Sequence, residues 1–180
     1  MVFDFEMTRS KKVAQRFFKD YGGILHTDGY VAYERDIGTP EMIHACCWAH
    51  SRRGLIEALK VHGEANRTSC DLERTVALID DLFAIDRDAR EQKLSLDARH
   101  ALRQECAPAI LAELQALLKR MKDSDLLLPQ SVEGKAIQYV LKRWKELTVF
   151  LAHPAVELST NLAENSMRPV AMMGSLCPSF

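Results

Sequence analysis

Apolar residues recur along this chain with two different periods, and the change of period divides it. The first third alternates short apolar runs with turn residues. Val2, Phe3 and Phe5 predict a short strand. Over residues 8–20, Val13, Phe17 and Phe18 stand among Lys and Arg in a helical pattern that Tyr21-Gly22-Gly23 closes. Ile24-Leu25-His26-Thr27 predicts a second strand, stopped by the turn pair Asp28-Gly29. Tyr30 to Arg35 suits a short helix, and the apolar, Cys-rich run from Met42 to Trp48 suits a buried strand.

From about residue 49 the spacing becomes helical and stays so. Leu72, Val76, Ile79 and Phe83 step at four, three and four. Leu102, Cys106, Ile110, Leu114, Leu117 and Met121 continue the pattern, with Pro108 predicting a kink. Ile137, Leu141, Trp144, Leu147 and Leu151 predict one more helix, ended by His153-Pro154, and Ser159-Thr160-Asn161 marks the start of the next. The chain has no internal repeat and no low-complexity stretch.

Composition adds mainly exclusions. A chain of 180 residues suits one domain, or one core carrying an insertion. Its formal charge of -1 and pI near 6.6 exclude a global electrostatic pull towards nucleic acid, though not local contacts. Apolar runs fall short of the ~18 residues of a membrane span. The N-terminal residues carry Asp4 and no basic stretch, unlike a secretory signal, so a cytoplasmic protein without a membrane partner is expected. The five cysteines (46, 47, 70, 106 and 177) form no even framework and predict reduced thiols.

Four groups of residues carry candidate chemistry, each with an ordinary structural alternative. Asp28 at the carboxyl end of a buried strand is placed to bind a metal or a polar substrate; Asp before Gly is equally good turn chemistry. Glu164, with Arg168 one turn further, offers a second carboxylate on a helix, while Asn161 and Glu164 together have the spacing of a capping box. Cys47 and His50, preceded by His44 and Cys46, could form half of a zinc site, but no second ligand pair follows, and a strand-to-helix corner is the competing reading. The pairs Arg52-Arg53, Lys119-Arg120 and Lys142-Arg143 suit phosphate contacts or a solvated helix face.

The order of these groups says more than any one of them. Leu25-His-Thr-Asp28-Gly-Tyr-x-x-Tyr33 comes first, then Cys47-Trp-Ala-His50-x-Arg52-Arg53. A helical block follows, then Gly134-Lys-Ala-Ile-x-Tyr139, Arg143-Trp144, and Asn161-Leu-Ala-Glu164-Asn-x-Met-Arg168-Pro169. From residue 2 to about 171 this series resembles the insertion-sequence-66 transposases of the DDE group. The resemblance implies an α/β core, a partial ribonuclease-H-like sheet lacking strands one and two, with a large all-helical insertion. Residues 1–50 would be strands three to five, 51–153 the insertion, 154–171 the helix bearing the final acid, and 172–180 a divergent tail.

By the same resemblance Asp28 and Glu164 are catalytic and metal-binding, two of three acids that hold Mg²⁺ or Mn²⁺. Cys47 and His50 are structural support near the site, and Arg52 and Arg168 are candidate DNA contacts. DNA at the element ends is the implied partner, with an intact transposase or a second copy as a further one. The family's first Asp lies on a strand upstream of the segment matched here, and Asp4 is no substitute for it. After Ala171 the sequence departs from the family's basic run. The expectation is therefore a transposase fragment that is inactive alone. The alternative is a non-catalytic interaction fragment that binds or inhibits an intact transposase, through the helical block or an open sheet edge.

Overall fold

The turn residues on either side of residues 24–27 and 43–46 isolate two short apolar runs, and these become the strands of a computed structural model that describes residues 11–29, 37–61, 67–125 and 127–161. Strand β1 (Ile24–Thr27) and strand β2 (Ile43–Cys46) pair in parallel, with Ile24 opposite Ile43 and Thr27 opposite Cys46. A parallel pair brings both carboxyl ends to one edge of the sheet, where side chains from distant parts of a chain can meet. Helix α1 (Lys11–Phe18) precedes β1 and packs Ala14 and Phe18 into a small cluster with Leu25, Ile37 and Met42. The strand expected at Val2–Phe5, the helix at Tyr30–Arg35, the helix of Glu164 and the tail lie outside the described residues.

The run from Met42 to Trp48 yields a shorter strand than its composition suggests. Cys47 still donates its amide to Thr27 O (3.0 Å), but the amide of Trp48 turns away to Leu158 O (2.8 Å). Helix α2 (Trp48–Val61) begins there. Helices α3 (Arg67–Glu91) and α4 (Leu96–Lys122) form an antiparallel hairpin, closed by a tight turn in which Lys93 adopts φ 53°. Ser95 caps α4 by accepting from the Ala98 amide, and the helix runs through Pro108, which is exposed.

The buried face of α4 differs from the predicted one in its first half. Leu102, Cys106 and Ile110 are only half-buried, whereas Arg99, Arg103, Ala107 and Leu111 point inward. Arg103 is 0% exposed and Asp86 of α3 is 1% exposed. The Asp86 carboxylate accepts from Arg103 Nε and Nη2 and from Arg99 Nη2, each at 2.8 Å. The remaining Arg103 donors reach the carbonyls of Phe150, Pro154 and Val156, while Arg99 forms a two-pronged pair with Glu157. The α3–α4 hairpin is thereby fixed to the segment that leads towards Asn161.

The helix predicted across residues 137–151 is broken in three: α5 (Val132–Lys142), α6 (Trp144–Leu147) and a 3-10 turn over Val149–Leu151. Thr148 contributes to the break, since its hydroxyl bonds back to the Trp144 carbonyl at 3.0 Å. The break lets α5 and α6 serve different neighbours. Leu55 and Ala58 of α2, Leu78 and Leu82 of α3, Leu114 and Leu118 of α4 and Ile137 and Val140 of α5 join one core with Ala45 and Cys46 of β2 and with Val156 and Leu158. That core runs continuously from the strands into the helical block. Among the described residues no helix is long and apolar enough to cross a membrane.

Candidate active site at the carboxyl ends of the strands

The site is built around the turn that leaves β1. Thr27 Oγ1 accepts from the Gly29 amide (3.2 Å), which tightens the chain just as it passes Asp28. Gly29 has φ +80°, a conformation that suits glycine, and it is buried, whereas Asp28 is exposed. Two side chains of the α5 region reach across more than a hundred positions to hold this turn. Tyr139 Oη donates to Asp28 O at 2.5 Å, and Arg143 Nη2 donates to Gly29 O at 2.9 Å. The Arg143 guanidinium lies over the Tyr139 ring, 4.1 Å from its centre. Burial pushes the Tyr139 phenol up to about 12, against the opposing charge of Arg143, so it stays protonated and able to donate at neutral pH.

Beside that turn, β2 is followed by a fully buried Cys47. The Cys47 sulfur accepts from the Thr160 amide at 3.4 Å, across 113 positions. The neighbouring Trp48 anchors the corner three ways. Its backbone amide bonds Leu158, its indole Nε1 donates to Leu147 O (2.8 Å), and its ring meets Trp144 edge-on with centres 6.0 Å apart. The chain on its way to the Glu164 segment is thus fastened to the same sheet edge from which Asp28 projects. Asn161 is the last described residue, and the capping box it would form with Glu164 lies outside the described residues. Glu164 and Arg168 lie outside the described residues.

The remaining candidates find other surroundings. His50 is half-buried on the first turn of α2, while the Cys47 sulfur faces Thr160. Among the described residues no group of three or more His, Cys, Asp or Glu could hold a metal ion. His26 on β1 is held below the usual imidazole range by burial, which outweighs the opposing Cys46 backbone bond and the Glu157 charge. Arg52 makes a two-pronged pair with Asp80 of α3 (2.5 and 2.9 Å), which raises its pKa and occupies the face it would turn towards a phosphate. Arg53 and Lys60, both exposed, line a groove of about 380 Å³ that runs past Phe83 to Asn161.

Three contributors escaped the sequence reading: Tyr139, Arg143 and Thr160. Arg143 had the look of a solvated basic pair with Lys142, yet it is half-buried against Gly29. The blocks Gly134…Tyr139 and Arg143-Trp144, part of the family resemblance, were the available signal. For a divalent cation, Asp28 supplies the hard oxygen that Mg²⁺ prefers, and the thiol beside it is soft and committed to the Thr160 amide.

Comparison with known proteins gives the class first: the chain is transposase-related. The family model described as "Transposase IS66 family" matches residues 1–175, and the chain belongs to that family. Among curated proteins it is similar to three uncharacterized proteins of Sinorhizobium fredii (strain NBRC 101917 / NGR234). It is 30% identical to y4jD over 93% of this chain and 32% of that one, and 30% identical to y4qI over 94% and 31%. The third, y4hP, is 31% identical over 88% and 30%. The chain therefore spans about a third of the length of these relatives. No solved structure matches it.

Proposed function

We propose that this chain forms part of the active centre of a DDE transposase, with Asp28 and Glu164 as two of its metal-holding carboxylates in a ribonuclease-H-like core. The observation that carries the reading is the Cys47–Thr160 bond. It fastens the approach to the Glu164 segment beside the strand end that bears Asp28. The parallel pairing of β1 and β2, with the acid at the carboxyl edge, supports the same architecture.

On this reading Asp28 and Glu164 would hold Mg²⁺ or Mn²⁺, which when bound stabilises the entering and leaving oxygens of an in-line displacement at phosphorus. The chain's own part is placement. The turn at Gly29 leaves Asp28 exposed, while Cys47 and Trp48, which follow the neighbouring strand, are fully buried. Arg168 and Arg53 are suited to the phosphates of element-end DNA, and Arg52 joins them by exchanging Asp80 for a phosphate oxygen. The third acid of the centre comes, on this account, from outside residues 1–180, so these residues alone do not turn over. Incubated with element-end DNA and Mg²⁺ or Mn²⁺, the 180-residue chain is expected to give no cleaved or joined product. Robust strand transfer by this chain would overturn the incomplete-centre reading.

A further inference from the structure

We infer that Tyr139 and Arg143 are positioning residues for Asp28: the helical block, through α5, sets the direction of the site's carboxylate by gripping the two carbonyls that follow its Cα. This deepens the proposed function and rests on Asp28 being a ligand there.

The argument is geometric. A side chain's direction follows from the backbone that bears it, and the peptide planes on the C-terminal side of Asp28 are held by its own carbonyl and that of Gly29. Each of these carbonyls accepts from a different side chain of the α5 region, Asp28 O from Tyr139 and Gly29 O from Arg143. The two donors also hold each other, since the guanidinium stacks on the phenol ring. Both bonds fall where Asp28 leaves the strand. The turn is shaped to admit them, because a Cβ on Gly29 would run into the Tyr139 hydroxyl and lie 2.7 Å from Arg143 Nε. The grip itself has firm footing: Ile137 and Val140 of α5 are fully buried in the main core, and Ser131 caps the helix. A reach across 111 and 114 positions onto two consecutive carbonyls is more than helix packing requires, since Ile137 and Val140 already secure the helix. A carboxylate that must meet an ion in one direction gains from such restraint, because a loosely held ligand loses rotamer freedom on binding.

The test combines a local and a functional readout on the 180-residue chain. Tyr139→Phe and Arg143→Met each remove one donor, and Arg143→Lys retains a donor for the Gly29 carbonyl. The first readout is the order of the Asp28 Cβ methylene by carbon-13 relaxation; the second is Mn²⁺ affinity by titration of the free-ion resonance signal. Tyr139→Phe and Arg143→Met are expected to keep the melting temperature within a few degrees, to loosen the Asp28 methylene, and to weaken Mn²⁺ binding about five- to tenfold. Arg143→Lys is expected to recover part of the order. A methylene as rigid in both donor-deleting variants as in the parent overturns the inference, whatever the metal does. If Asp28→Asn leaves Mn²⁺ affinity unchanged, the metal-ligand reading falls, while the methylene order still decides whether Tyr139 and Arg143 position the side chain.

Discussion

Replacing Asp86 with Ala is expected to remove about 3–5 kcal/mol of folding stability, the usual cost of stripping one partner from a buried ion pair. Arg103 is fully buried and would keep its charge with no carboxylate to meet it, and Arg99 would retain only Glu157. A loss of that size is a large share of the roughly 5–15 kcal/mol that holds a typical domain together. Urea denaturation followed by circular dichroism measures it. Replacing Arg103 with Met alongside Asp86→Ala is expected to recover only part of the loss. Arg103 also satisfies the carbonyls of Phe150, Pro154 and Val156, which an apolar side chain leaves without a donor.

The same network gives the protein an acid limit. Burial alone would raise the Asp86 pKa, but hydrogen bonds from Arg103 and Arg99 outweigh it and hold the carboxyl below its ordinary value of 3.8. The Arg99 hydrogen bond likewise holds Glu157 below 4.5, against burial. A carboxyl whose folded pKa is depressed contributes fully above its unfolded pKa and loses that contribution as pH falls through the folded one. Stability is therefore expected to hold down to about pH 4.5 and to fall steadily below it. In Asp86→Ala the part of the slope due to Asp86 should vanish.

The second large effect is expected at Gly29. An alanine there must adopt φ +80°, which costs about 1–3 kcal/mol in backbone strain. Its methyl group also displaces Tyr139 and Arg143, each of which contributes a hydrogen bond of roughly 0.5–1.5 kcal/mol. Gly29→Ala should therefore lower stability by about 2–6 kcal/mol in the same denaturation experiment. In combination with Tyr139→Phe the losses should fall short of additive, because the two substitutions break the same contact. Full additivity would mean that the clamp and the turn are energetically separate.

How far the sequence revealed this molecule depended on the range of the interaction. β1 and the onset of the helical block were legible because turn residues and apolar runs act locally: Asp28-Gly29 ends a strand wherever it occurs. The face of α4 was not, because the apolar stripe begun at Leu102 leaves out Arg99 and Arg103, which turn inward only where Asp86, on another helix, meets them. The break after Lys142 was hidden for a similar reason. Ile137 through Leu151 keep helical spacing, and only the meeting of Arg143 with Gly29 and of Trp144 with Trp48 shows why the helix divides. At the candidate site, Asp28 and Cys47 could be singled out by motif. What they touch, Tyr139 and Thr160, lies more than a hundred positions away, beyond the reach of any local pattern.

The hairpin of α3 and α4 has a bearing on the site that its distance in sequence conceals. Arg103 and Arg99 hold residues 150–157, and a few residues later Thr160 meets Cys47. Together with α5, which holds the Asp28 turn, the helical block thus supports both sides of the proposed centre. A core shared between helices and strands is what such support requires, and it is what the packing displays.

The most direct measurement is a Mn²⁺ titration of the isotope-labelled chain, followed through paramagnetic broadening at Asp28 and at Glu164. If one cation sits between the two acids, both resonances broaden together at the same added metal, and either Asp28→Asn or Glu164→Gln removes the effect from both. Broadening at one position that survives replacement of the other acid would contradict the account.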